Sequence, residues 1–184
     1  MLTFSTGTAP LLLALAAASP ATGAVNDAGL RAPRGYINVA PGVLNLHLST
    51  IRAGAYPTYL WRIDGGYHLP FGRRLAVELG GTFEHLARPG LQRFRLAPTA
   101  RIGGGSRRSF GYGLVRIGLE LDHIDLGRFG APTAAGFQGA LGGGVLGMLH
   151  SVVSLGGEVY VDMVSAHRKT VAHLNICLFV GLWF

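Results

Sequence analysis

The chain has 184 residues, 49% hydrophobic and 14% charged, with 29 glycines and 9 prolines, which is one domain's worth of chain and too apolar for a disordered polar tail. Sixteen Lys and Arg against nine Asp and Glu leave a formal charge of +7. The basic residues are scattered singly or in pairs, unlike the dense patch of a nucleic-acid binder, and the single cysteine, Cys177, excludes a disulfide framework or a multi-cysteine metal site.

Residues 1–26 carry no charged side chain. A short apolar block at 11–18 is followed by small residues at 19–24, the pattern of a secretory signal peptide cleaved after Ala24 or Ala21. The block is too short to span a bilayer as a helix, and it lacks the usual preceding Lys or Arg. The expected organisation is a signal peptide over 1–24 and one folded domain over 25–184.

From Tyr36 onward the hydrophobic period is two, not 3.6. The first segment, 36–49, is interrupted by Pro41-Gly42, read as a bulge that switches parity between Ile37/Val39 and Leu44/Leu46/Leu48. In the second, Tyr59, Trp61, Ile63 and Tyr67 oppose Arg62, Asp64 and His68. In the third, Leu75, Val77, Leu79 and Phe83 oppose Glu78, Thr82 and Glu84. The fourth sets Phe94, Leu96, Ala100 and Ile102 against Arg93, Arg95, Thr99 and Arg101, with Pro98 unexplained in the middle. The fifth sets Val115, Ile117, Leu119 and Leu121 against Arg116, Glu120 and Asp122. A sixth covers 136–149. The seventh sets Leu155, Val159, Val161 and Met163 against Glu158, Tyr160 and Asp162, and the eighth alternates from Leu174 to Phe184. Short turns are expected at 69–74, 104–109 and 150–151. Longer connections are expected around 50–55, 86–91, 123–135 and 165–170.

The acids decide which face points where. Seven of nine lie opposite the apolar parity of their strands, on the side that also carries Gly66, Gly80, Gly118, Gly142 and Ala140, while Trp61, Phe83, Phe94 and Phe137 crowd the other. A narrow interior has room for the small and charged face, so the bulky face meets lipid. The reading is all-β: an eight-stranded antiparallel up-and-down transmembrane barrel. Two alternatives stand beside it: a water-soluble carrier with a cavity lined by Trp61 and Phe83, and a membrane helix over 131–157 packed through Gly139, Gly143 and Gly147.

The final strand, Leu174-Asn175-Ile176-Cys177-Leu178-Phe179-Val180-Gly181-Leu182-Trp183-Phe184, resembles that of the small bacterial outer-membrane β-barrels of the OmpA/OmpX/OmpW type. The resemblance covers 36–184. It implies that Phe184 and its strand are read by the barrel-assembly machinery, that the surroundings are outer-membrane lipid and lipopolysaccharide, and that the protein is exported to the bacterial outer membrane.

Barrels of this size host adhesion, structural, channel and enzyme functions, so the fold does not name a role. Arg62, Asp64, Glu78, Arg95, Arg101, Arg116, Glu120, Glu158 and Asp162 are expected inside as a charge-paired network, because unpaired charge is costly there. That favours a filled, non-enzymatic barrel without a cofactor over a channel. His47, His85, His123, His167 and His173 fall near one rim. With Ser49, Glu84 and Asp122 they are the nominal ingredients of a lipid A hydrolase or a metal site, without matching any such enzyme's motif. Arg52, Arg88, Arg128, Arg168 and Lys169 in the outer connections are candidate lipopolysaccharide contacts. Tyr36, Tyr56, Tyr59, Tyr67 and Trp183 are candidate interface aromatics, and Cys177 is expected to be a packed inward thiol.

Overall fold

The computed structural model describes residues 29–47, 60–72, 74–88, 90–124, 133–166 and 169–184. Eight strands follow one another: β1 (Arg34–His47), β2 (Leu60–Phe71), β3 (Leu75–Arg88), β4 (Leu91–Gly105), β5 (Ser109–Ile124), β6 (Thr133–His150), β7 (Val153–Ala166) and β8 (Lys169–Trp183). Each pairs antiparallel with the next, and β8 returns to β1 to close the barrel. Closure leaves no unpaired sheet edge, the condition for a sheet to survive in hydrocarbon. The described part of the 131–157 stretch, 133–157, is not a helix; it is β6, a short turn and the start of β7.

The alternation resolves as expected from the acids. Ile117, Leu79 and Trp61 are 69%, 51% and 40% exposed on the exterior, while Glu78 and Glu158 are buried. Among the described residues, the outward-facing strand positions carry no Asp, Glu, Lys or Arg. The soluble-carrier alternative fails on the same observation, since Trp61 and Phe83 lie outside the barrel. Glycine, however, is not confined to the inward parity; Gly113, Gly139, Gly143 and Gly157 occupy outward positions beside Val115, Leu141 and Val159.

Pro41-Gly42 is a bulge. The β1–β2 register shifts between Ala40 and Val43, which turns Tyr36, Asn38 and Ala40 inward before it and Leu44 outward after it. Pro98 faces outward opposite Gly81 of β3, and the β4–β5 ladder skips from Leu96–Leu119 to Thr99–Arg116. The proline thus sits at a gap in the ladder, where its missing N–H does least harm.

Two expected connections are wrong in length. The segments around 86–91 and 165–170 are mostly strand, because β3 and β4 are separated only by 89–90 and β7 and β8 only by 167–168. Arg88 and Leu91 are register partners across a two-residue hairpin, and Gly90, at φ 75°, occupies the left-handed region that such turns demand. The long connections are 48–59 and 125–132. At the opposite end, 72–74, 106–108 and 151–152 are all short, and a 3₁₀ turn, Gly29–Arg31, precedes β1.

Candidate functional site

The inward parity of eight strands delivers its polar side chains to one axis, and the most connected group there is Glu158 of β7. One of its carboxylate oxygens accepts from Arg101 Nε at 3.0 Å and from Tyr112 Oη at 2.8 Å. The other accepts from Arg116 at 2.7 Å and lies 2.8 Å from Arg62. Arg62 and Arg101 also reach Asp64, each at 3.1 Å, and Thr82 donates to the other Asp64 oxygen. These groups are all buried. Buried guanidinia cost several kcal/mol each to desolvate, so their persistence requires this density of opposite charge.

A second set lies nearer the long-connection end. Arg95 Nε donates to Glu120 and its Nη1 to Asp162, both at 2.5 Å, with Glu84 at 3.3 Å. Tyr160 donates to Glu84 at 2.8 Å and lies under the Arg116 guanidinium, 4.6 Å from ring centroid to Cζ. Arg93 closes this end with a two-point bond to Asp122 at 2.7 and 2.8 Å. Toward the short-turn end, Glu78 is 3.0 Å from His68 Nδ1, and the other His68 nitrogen is 3.0 Å from the Leu30 carbonyl oxygen.

The structure therefore brings together Arg62, Asp64, Arg101, Arg116 and Glu158, and separately Arg95, Glu84, Glu120 and Asp162. Sequence reasoning set Tyr160 on the inward parity but gave it, like Tyr36 and Tyr112, no part in the network, although all three hydrogen-bond to its charged groups. It also missed the cap. Leu30 is buried in the mouth, its N–H donates to Arg107 O at 3.1 Å, and it packs in one cluster with Phe110 and Trp183. Nothing in 29–31 signals this, since its partners come from β2 and the β4–β5 turn.

Tyr36 and Trp183 are not interface aromatics. Both are buried in the lumen, their rings tilted against each other at a centroid distance of 5.4 Å, with Trp183 Nε1 donating to Ser154. Parity explains the correction: Trp183 shares a face with Cys177, which is indeed inward and buried. Tyr67 does face outward, while Tyr56 and Tyr59 lie outside the described residues.

Among the rim histidines whose side chains are described, His85, His123 and His173 do not converge. His85 is on the outer wall, accepting from Trp61 Nε1 at 2.9 Å and stacked on Phe94 at 4.6 Å. His173 is inside, with Nδ1 3.1 Å from Asp162. His123 is exposed near Thr133. His47 is the backbone register partner of His173, but its side chain, like Ser49 and His167, lies outside the described residues. Of the carboxylates nominated for catalysis, Glu84 and Asp122 are held by arginines, and the acid at His173 is Asp162. No group of three His, Cys, Asp or Glu among the described residues is arranged to hold a metal ion.

No family model matches the chain, and no curated protein does. Solved structures do. The barrel is similar to Neisserial surface protein A, with a TM-score of 0.60 at 14% identity over 83% of this chain and 97% of that one. It is also similar to Ail, the attachment invasion locus protein of Yersinia pestis, with a TM-score of 0.56 at 13% identity over 83% and 97%. A further match is Ail in complex with the heparin analogue sucrose octasulfate, at 14% identity and the same TM-score and coverage. The class is thereby defined: the chain has the fold of the small eight-stranded outer-membrane β-barrels.

Proposed function

We propose that this protein resides in the bacterial outer membrane as a closed, charge-filled barrel with a non-enzymatic role in envelope integrity or surface interaction. The carrying observation is the opposition of its two faces: a charge-free exterior among the described strand residues, and an axis occupied by ion-paired side chains. Guanidinia set between carboxylates and phenols occupy the axis, and eight strands enclose a narrower interior than the wider barrels that hold an aqueous channel. Phe184 fits the assembly role: its backbone exchanges hydrogen bonds with Gly35 at 2.9 and 3.0 Å, joining the chain end to the first strand at the closing seam. The arginines of the long connections would meet lipopolysaccharide phosphates, and the polysulfated ligand on Ail makes polyanion binding a natural assay for them.

The test is a planar-bilayer recording of the purified protein beside lipid A mass spectrometry of cells expressing it. No resolved current steps and an unchanged acyl pattern are expected. Regular conductance would replace the filled barrel with a pore. An acyl loss that disappears in His173→Ala or Ser49→Ala would replace it with a hydrolase built on the Asp162–His173 pair.

A further inference from the structure

The charge that the lumen does not use is placed unevenly. All seven described acids point inward, Glu78 among them near the short turns, so the rim at that end exposes no Asp or Glu side chain among the described residues, yet it presents Arg31, Arg34, Arg74, Arg107 and Arg108. Arg34 is tied to the Ser151 carbonyl at 2.7 Å. The other four are exposed, and none forms an ion pair with a described acid. They come from the segment before β1 and from the β2–β3 and β4–β5 turns, so they border much of the rim. A surface built for solubility would mix the two signs; the described side chains of this rim do not.

We propose that these arginines form a collar that binds the anionic phospholipid headgroups of the leaflet at the short-turn end. This rests on the membrane reading of the exterior. Height selects the partner. Arg74 adjoins Leu75 and lies three residues from Phe71, both exposed on the lipid face, and the 72–74 and 106–108 turns are too short to lift a guanidinium beyond side-chain reach of the strand ends. At that level a phosphodiester is the nearest anion, and guanidinium accepts it through paired N–H donors. Basic side chains at an anionic bilayer surface are attracted over about a Debye length, so the contact must weaken in salt. A cell-wall polymer or an acidic soluble protein would demand groups that stand clear of the headgroups.

The full chain is folded into vesicles of phosphatidylcholine alone or of an equimolar mixture with phosphatidylglycerol, and the temperature at which its compact band in SDS converts to the unfolded one is measured. The wild type is expected to resist heating further in the mixed vesicles, and high salt is expected to erase that difference. Combined Arg74→Gln, Arg107→Gln and Arg108→Gln is expected to abolish it while matching the wild type in phosphatidylcholine. A wild type indifferent to phosphatidylglycerol overturns the proposal, as does a variant that keeps the full difference. So does loss of the difference in an Arg52→Gln/Arg128→Gln control, which would assign the effect to the other rim. Retention on peptidoglycan sacculi that the triple variant loses, without any vesicle difference, transfers the collar to the cell wall. Should the variant fail to fold, the salt response of the wild type still decides. Labelling Ser106→Cys with an impermeant maleimide in intact cells would instead contradict the orientation of the barrel, independently of lipid binding.

Discussion

Glu158 and Val159 are adjacent in β7 and live in opposite solvents. Glu158 is buried among three guanidinia and a phenol, whereas Val159 is 49% exposed on a wall that carries no charge among the described strand residues. Water-soluble barrels put the oily residue inside; here the strand is turned over. The same substitution chemistry should therefore have opposite consequences one residue apart, and the variants below probe that opposition.

The largest effect belongs to Glu158→Ala. It leaves Arg62, Arg101 and Arg116 short of their shared counter-charge, and breaking a buried ion pair from one side costs about 3–5 kcal/mol. Urea unfolding of the lipid-reconstituted barrel should report a loss of that size, and a loss below about 1 kcal/mol would mean that water or neighbouring acids replace the carboxylate. Next is Ile117→Arg, which places a charge in the outer belt; arginine near the bilayer midplane of a barrel costs about 2–4 kcal/mol. A matched measurement in detergent, where the head group can reach water, should show less. Tyr160→Phe removes a donor from buried Glu84 and should cost about 1.5–3 kcal/mol, the range for a hydrogen bond to a charged group. Arg93→Ala, at the partly exposed mouth, should cost about 1 kcal/mol or less, because its pair with Asp122 is screened.

The opposition of faces was legible in the sequence because it is written in period two. Once the seven strand acids fell on one parity, the direction of Trp61, Leu79 and Ile117 followed, and so did the inward arginines. The bulge at Pro41-Gly42 was readable from the parity break it causes. Other features needed coordinates. The two-residue hairpin at 89–90 is hidden because Arg88 and Pro89 look like loop chemistry, and strand length is set by register with a neighbour that the local sequence does not name. Which carboxylate meets which guanidinium depends on distances across the lumen between non-adjacent strands, as in Arg101 with Glu158. The rim histidines were read by height alone, and height does not assign a face: His85 and His173, near one level, stand on opposite sides of the wall. Trp183 and Tyr36 were assigned by residue type, as membrane aromatics, when their parity already placed them inside.

The two tryptophans give the most direct test of the inside-out arrangement. Trp61 is 40% exposed on the outer wall and Trp183 is 2% exposed in the lumen. In vesicles containing brominated phosphatidylcholine, the Trp183→Phe protein, which reports only Trp61, should lose most of its fluorescence. The Trp61→Phe protein, which reports only Trp183, should lose little. The reverse pattern, with Trp183 quenched and Trp61 protected, would contradict a barrel whose hydrocarbon face meets lipid and whose charges fill its centre.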